Sequence, residues 1–367
     1  MSAREGTLAD LLRRLIRTSG PISVAQYMAH ANAHYYATRD PLGRAGDFIT
    51  APEISQLFGE MLGGWVADLV LRTAGATAIP RFAYVELGPG RGTLARDALR
   101  VIRTAHLAPE VHFIEGSPQL RKLQTQAVPD AIFHDSTATL PDNLPLLIIA
   151  NEFFDALAVR QLVRTQDGWR ERMVALEEER FIPVEGEQPM DAALASVQTD
   201  APVGTIIETV PAAAAIMQDV AMAIARQGGA MLTVDYGYVQ TRIGSTLQAV
   251  RNHRMVDPFF DPGNADLTAH VDFASLANVA QDAGCVLYGT VQQGVFLNRL
   301  GIKERAHALA AANPGQAKSV FSGLERLVDA RDRQGMGRLF KVLGFGSPQW
   351  PPGAGFSPEE NAGGTFA

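Results

Sequence analysis

Three glycines at alternate positions, Gly88, Gly90 and Gly92, follow the apolar run Phe82-Ala-Tyr-Val85 and the carboxylate Glu86. A glycine-rich turn at the end of a strand lets a ligand approach bare backbone. A helix starting near Thr93 would then offer unpaired N–H groups to a negative group. That is the chemistry of a cofactor cradle. A dinucleotide fingerprint would want Gly or Ala where this chain has Thr93, and it usually follows a fully apolar strand end. A structural turn is the remaining reading of the glycines alone.

Other polar residues stand where apolar runs stop. Val111-His-Phe-Ile-Glu115 ends on an acid 23 residues after Gly92, where such folds take ribose hydroxyls. Ala131-Ile-Phe-His-Asp135 ends on a second acid. Leu146-Leu-Ile-Ile-Ala150 gives way to Asn151, Glu152 and Asp155, and Ala230-Met-Leu-Thr-Val234 to Asp235 and Tyr236. Carboxylates at strand ends suit ligand binding at the switch point of an open sheet. They also cap loops, and for Asp235, Tyr236 and His270 both readings stand.

The elements that must hold these residues alternate from residue 82 onward. Strand one leads through the glycines into a helix with Leu94, Ala98, Leu99 and Val101. Strand two is followed by a helix from Ser117-Pro118, then strands three and four. This alternation predicts a parallel sheet with helices on both faces. After strand four, Val159–Leu176 with a Gln166-Asp-Gly168 turn reads as a β-hairpin, and Phe181–Val184 and Thr205–Val210 add strand-like pieces. Pro211 opens an alanine-rich helix closed by Gly228-Gly229. Strand five follows. Residues 238–270 read as loop-rich and polar, 271–283 as a helix, Val286–Val291 as strand six, 297–333 as helix and Arg338–Leu343 as a last strand.

Upstream, Thr7 with Asp10 and Ser23 with Gln26 form two capping boxes that open helices. Asp40-Pro-Leu-Gly-Arg-Ala-Gly-Asp-Phe48 reads as an ordered loop. Thr50-Ala-Pro-Glu53 has capping-box spacing with proline in the first turn, the alternative being that this loop is a lid over the glycine cradle. A long helix then carries Leu57, Phe58, Met61, Leu62, Trp65, Val66 and Leu69 on one stripe.

Composition narrows the partners. The 367 residues are 47% hydrophobic and 19% charged, enough for a large core. Thirty-two basic against 39 acidic residues give −7 with no basic cluster, which disfavours a nucleic-acid substrate and fits a cationic or protein one. A single cysteine, Cys285, excludes an intramolecular disulfide and a cysteine zinc site. His30 and His34 share a helical face but read as packing residues rather than metal ligands. No apolar run approaches the roughly 20 residues that span a bilayer. With no leader signature, a cytoplasmic location is the default.

The string Glu86-Leu-Gly-Pro-Gly-Arg-Gly92 resembles the first motif of class I S-adenosylmethionine methyltransferases. Together with Gly20-Pro-Ile-Ser-Val24, Asp40-Pro-Leu-Gly-Arg44, Gly46-Asp-Phe-Ile-Thr-Ala-Pro-Glu-Ile-Ser55, Ala150-Asn-Glu-Phe-Phe-Asp-Ala156, Asp235-Tyr-Gly237 and Asp266-Leu-Thr-Ala-His-Val-Asp-Phe273, it resembles the MidA family over residues 7–345. That family includes a mitochondrial complex I assembly factor. The resemblance implies an α/β, Rossmann-like class I methyltransferase sheet. A helical N-terminal extension and lid loop would occupy 1–78, the core 79–158 and 205–345, a hairpin insertion serving as substrate cap 159–204, and a flexible tail 346–367.

It also implies S-adenosyl-L-methionine as cofactor. Glu86, Gly88, Gly90, Gly92, Glu115, Asp135 and Asn151 are then the cofactor residues, while Glu152 and Asp155, placed after strand four, read as the catalytic carboxylates that grip the acceptor. Asp235, Tyr236 and His270 are weaker substrate-binding candidates, and no metal is implied. The implied activity is protein arginine methylation, with the quinone-module subunit of respiratory complex I or a bacterial equivalent as client. Bacterial members would work in the cytoplasm and eukaryotic relatives in the mitochondrial matrix. The rival is a non-enzymatic assembly chaperone that keeps the fold.

Overall fold

The computed structural model describes residues 7–38, 50–75, 81–193, 201–240, 242–251, 254–331 and 335–357. Most of the expected lid loop (39–49), His253 and residues 358–367 of the expected tail lie outside them. The chain divides into two compact units. One comprises Met1–Phe48, Asp155–Ala213 and Thr241–His270, the other Ile49–Phe154, Ala214–Gln240 and Val271–Ala367.

The second unit is built on one sheet whose strands are β1 (Ala83–Leu87), β2 (Glu110–Ile114), β3 (Ile132–His134), β4 (Leu146–Asn151), β5 (Gly229–Tyr238), β6 (Val286–Gln292) and β7 (Phe340–Gly346). Their spatial order is β3-β2-β1-β4-β5-β7-β6, and the two-residue strand Val271–Asp272 runs beside the end of β5. β1 to β5 are parallel, and β7 lies antiparallel between β5 and β6. The order reverses direction between β1 and β4, the place where an open sheet leaves a crevice at its carboxyl rim. All five residues of β1 and five of the six of β4 are buried, as strands covered on both faces must be.

The predicted stripe of the long helix, Gln56–Ala74, is the face that packs. Leu57, Phe58, Leu62, Trp65 and Leu69 are buried in one core with Tyr84, Phe113, Leu94 and Leu99. Each such side chain contributes about 1.5–3 kcal/mol of burial. Glu60 is a charge buried on this helix and takes hydrogen bonds from Arg305 and Arg100. Burial raises its pKa, and the two guanidinium hydrogen bonds outweigh that and hold it below the usual value.

In the first unit, both capping boxes form. Thr7 Oγ1 accepts from Asp10 N–H while the Asp10 carboxylate accepts from Thr7 N–H. Ser23 and Gln26 do the same. The hairpin is present as Arg160–Thr165 and Gly168–Glu177 and belongs to a five-stranded antiparallel sheet with Ile22–Ser23, Arg180–Pro189 and Ile206–Thr209. The segment expected to be loop-rich instead contributes a second, three-stranded sheet, Gln248–Arg251, Arg254–Val256 and Asp266–Thr268. Its polar residues hid the pattern: of the paired positions, Ala249 and Leu267 are buried in the first unit's core and Val256 packs partly against it.

Two further expectations are corrected. The helix expected from 297 to 333 is three helices, Gln293–Arg299, Ile302–Ala312 and Ala317–Val328, broken at Gly301 and at Pro314. The last strand starts at Phe340 rather than Arg338, because Met336–Leu339 forms a helical turn. Among the described residues, no helix is long and apolar enough to cross a membrane.

Candidate active site at the sheet's carboxyl rim

Register decides which residues meet at the rim. Leu87 pairs with Ile114 on one side and Ala150 on the other, and Val234 pairs with Asn151. The glycine loop after β1, Glu115 after β2, Asn151 and Glu152 at the end of β4, and Asp235 in β5 therefore stand at one edge of the second unit.

Gly88, Gly90 and Gly92 all have positive φ, +62°, +56° and +76°. Gly92 is the N-cap of the helix Thr93–Thr104 and offers no side chain to its first N–H groups. Those donors remain for a ligand. A side chain at Gly88 would place Cβ 2.8 Å from the Phe153 ring. The loop is shaped to leave its backbone bare.

Glu86 is almost wholly buried, and its carboxyl accepts from the Tyr84 hydroxyl. Burial pushes it up to about 8, against the lowering effect of that hydrogen bond. Because the folded pKa lies above the ordinary 4.5, the folded state holds the extra proton between those values and stability falls as pH rises through that window. Denaturant titrations of ligand-free protein from pH 5 to 9 should show a declining component of at most about 1.4 kcal/mol per pH unit. Glu86→Gln should flatten it.

Glu115 is fixed from several sides. Its Oε1 accepts from Ser117 N–H at 2.7 Å and its Oε2 from Gln124 Nε2 at 2.9 Å. The same Gln124 amide donates to Gly90 O at 2.7 Å. Gln124 is fully buried and ties the β2 acid to the glycine loop, yet it was not among the residues singled out from sequence. The available signal was a polar residue at i+4 from Leu120 on the buried face of Pro118–Ala127. Gln124→Leu keeps the volume and removes both bonds. Cofactor affinity should fall by about 10- to 30-fold, measured calorimetrically, as expected for a buried carboxylate losing its donor. Asp135, by contrast, is open to solvent, with Arg121 2.5 Å from its Oδ1.

Beyond β4 the backbone is strained. Glu152 is one of four described non-glycine residues at positive φ, +50°, with its N–H bonded to Val234 O. Such a conformation costs about 1–2 kcal/mol and gathers at functional sites. Its Oε1 accepts from Ala51 N–H at 3.2 Å and from Asn151 Nδ2 at 3.3 Å. Asn151 Oδ1 is buried with no protein partner among the described residues. Asp235 is fully buried and uses Oδ2 to hold Phe154 N–H at 3.1 Å and Oδ1 to hold Tyr236 N–H at 2.9 Å, so it braces the β4 exit. The Tyr236 ring stands edge-on to Phe340.

Asp155 and His270 fall in the first unit. Asp155 is buried, and its carbonyl accepts from Ala269 N–H. Burial first, then the charges of Asp266 and Asp155 and a hydrogen bond to Asp266, hold the Tyr36 phenol well above its usual pKa. His270 Nδ1 faces Arg242 at 3.3 Å, and its N–H donates to Thr246 Oγ1. Glu152 and Asp155, both expected as catalytic carboxylates, fall in different units.

The Thr50–Glu53 capping box does not form. Thr50 makes no side-chain cap, and Glu53 Oε1 instead accepts from the Thr93 hydroxyl at 2.6 Å. The four-residue helix Ala51–Ile54 reaches both Glu152 and the first residue of the cradle helix.

The donor set suits a nucleoside with a zwitterionic tail: a bare loop and helix N-terminus, a fixed carboxylate after β2, and an orphaned amide oxygen on Asn151. Comparison with known proteins agrees. A family model described as S-adenosyl-L-methionine-dependent methyltransferase matches residues 61–291. The chain is 35% identical over 385 residues to the mitochondrial protein arginine methyltransferase NDUFAF7 homolog of Drosophila melanogaster, covering 92% of this chain and 84% of that one. It is 33% identical over 381 residues to the NDUFAF7 arginine methyltransferase of Homo sapiens, covering 92% and 84%. A Burkholderia thailandensis protein crystallised with S-adenosyl-homocysteine superposes with a TM-score of 0.78 at 27% identity, over 97% of this chain and 94% of that one.

Proposed function

Because the chain belongs to this family of S-adenosyl-L-methionine-dependent methyltransferases, we propose that its acceptor is the guanidinium of a protein arginine. The observation that carries the reading is Glu152: a strained carboxylate at the β4 exit, oriented by Ala51 N–H and Asn151.

When bound, the cofactor supplies an activated sulfonium methyl group. Gly88, Gly90, Gly92 and the Thr93 helix would seat its tail, with Glu115 on the ribose and Asn151 nearby. Asp135 would meet the adenine amino group. What remains for the chain is alignment at about 3–3.5 Å and exclusion of water. A guanidinium has a pKa above about 12 and is a poor nucleophile. A carboxylate that binds it through two N–H groups turns one nitrogen outward and accepts a proton as the nitrogen gains its methyl. Glu152 takes that role. Asp155 is the second carboxylate of the proposal, and Asp155→Asn tests it independently. Tyr236 and His270 stay as substrate-side candidates, while Asp235 acts by holding the loop.

In the same proposal residues 159–204 are the substrate cap, 1–78 the N-terminal extension and lid loop, and 79–158 and 205–345 the core. The client is the quinone-module subunit of complex I or its bacterial equivalent, met in the cytoplasm by a bacterial enzyme. Purified protein with labelled cofactor should label arginine in that client. Labelling of lysine, or binding without transfer, would refute the arginine reading.

A further inference from the structure

We propose that Glu53 is the carboxylate that receives the ammonium group of the cofactor's methionine tail. The inference rests on the family's cofactor and is independent of the acceptor's identity.

Glu53 follows Pro52 in a helix of only four residues, Ala51–Ile54. The usual employment for an acid at that position, closing a capping box on Thr50, is not taken up. The side chain instead turns to Thr93, the first residue of the cradle helix, and holds its hydroxyl through Oε1. Among the described residues Glu53 makes no other side-chain hydrogen bond or ion pair, and it is half-buried. A half-buried carboxylate with a single neutral partner has capacity for a cation.

The tail of the cofactor carries an ammonium and a carboxylate on one carbon. Binding such a pair needs N–H donors and an anionic acceptor within a few ångströms of each other. The uncapped N-terminus at Gly92–Thr93 supplies the donors. Glu53, hydrogen-bonded to that same residue, supplies the acceptor. Of the other acids on this rim, Glu152 is held by Ala51 N–H and Asn151, and Glu86 lies buried against the Tyr84 hydroxyl, where burial raises its pKa and favours the neutral form.

Glu53→Gln retains an oxygen for Thr93 and removes the charge. Calorimetric titration of the variant with S-adenosyl-homocysteine should show affinity reduced by about 10- to 100-fold. The analogue lacking the amino group should bind wild type and variant alike, and the melting temperature without ligand should not move. Equal losses for both ligands would reduce Glu53 to a structural brace and overturn the assignment. So would unchanged affinity for S-adenosyl-homocysteine, and if that came with a raised KM for the acceptor, Glu53 would belong to the acceptor side.

Discussion

Glu152→Gln is expected to lower methyl transfer by about 10³-fold or more, while cofactor affinity stays within about threefold. The amide keeps the length and shape of the carboxylate and can still accept from Ala51 N–H, so the loop keeps its conformation. What disappears is the negative charge that orients a guanidinium and the base that takes its proton. The backbone sharpens the test. Glu152 sits at φ +50°, a region that Asn tolerates better than Glu. Glu152→Asn should therefore inactivate the enzyme and raise its stability by up to about 1 kcal/mol. Single-turnover rates with saturating cofactor, beside denaturant melts, check both halves. Full turnover by Glu152→Gln would remove this residue from the chemistry.

Gly92→Ala is expected to weaken cofactor binding by about 100-fold and to destabilise the fold by about 1–2 kcal/mol. At φ +76° an L side chain is strained wherever it points. The new Cβ would lie 3.1 Å from Ala127 Cβ and 3.4 Å from Gln124 Cα. The helix Pro118–Ala127 would have to retreat, carrying with it the Gln124 amide that binds both Gly90 and Glu115. One methyl group thus disturbs the loop, the β2 acid and the link between them. Loss of the thermal shift produced by S-adenosyl-homocysteine would show it. A retained shift would mean that the cradle tolerates the displacement.

The core of the fold was legible because buried parallel strands announce themselves. Leu146–Ala150 is an unbroken apolar run, Ala230–Val234 is interrupted only by Thr233, and the glycines mark where β1 turns. The capping boxes at Thr7 and Ser23 were legible for a similar reason, since each joins residues three apart. The box at Thr50 has the same spacing and failed, because Thr93, forty residues away, competes for Glu53. Local pattern cannot see that competitor. Gln124 was missed likewise, its partners being Gly90 and Glu115 rather than neighbours on its own helix. The sheet at 248–268 escaped notice because strands of three or four residues are too short to display an alternation.

The antiparallel strand β7 has a consequence for how the chain can be made. It pairs on one side with Ala230–Tyr236 and on the other with Val286–Gln292, yet synthesis reaches it after all its neighbours. Until it arrives, β5 presents a naked hydrogen-bonding edge and the edge strand β6 has no strand to join, the condition that invites association between chains. A version cut before Phe340 should therefore yield aggregate rather than a smaller enzyme, and a nascent chain needs those seven residues free of the ribosome before its sheet can knit.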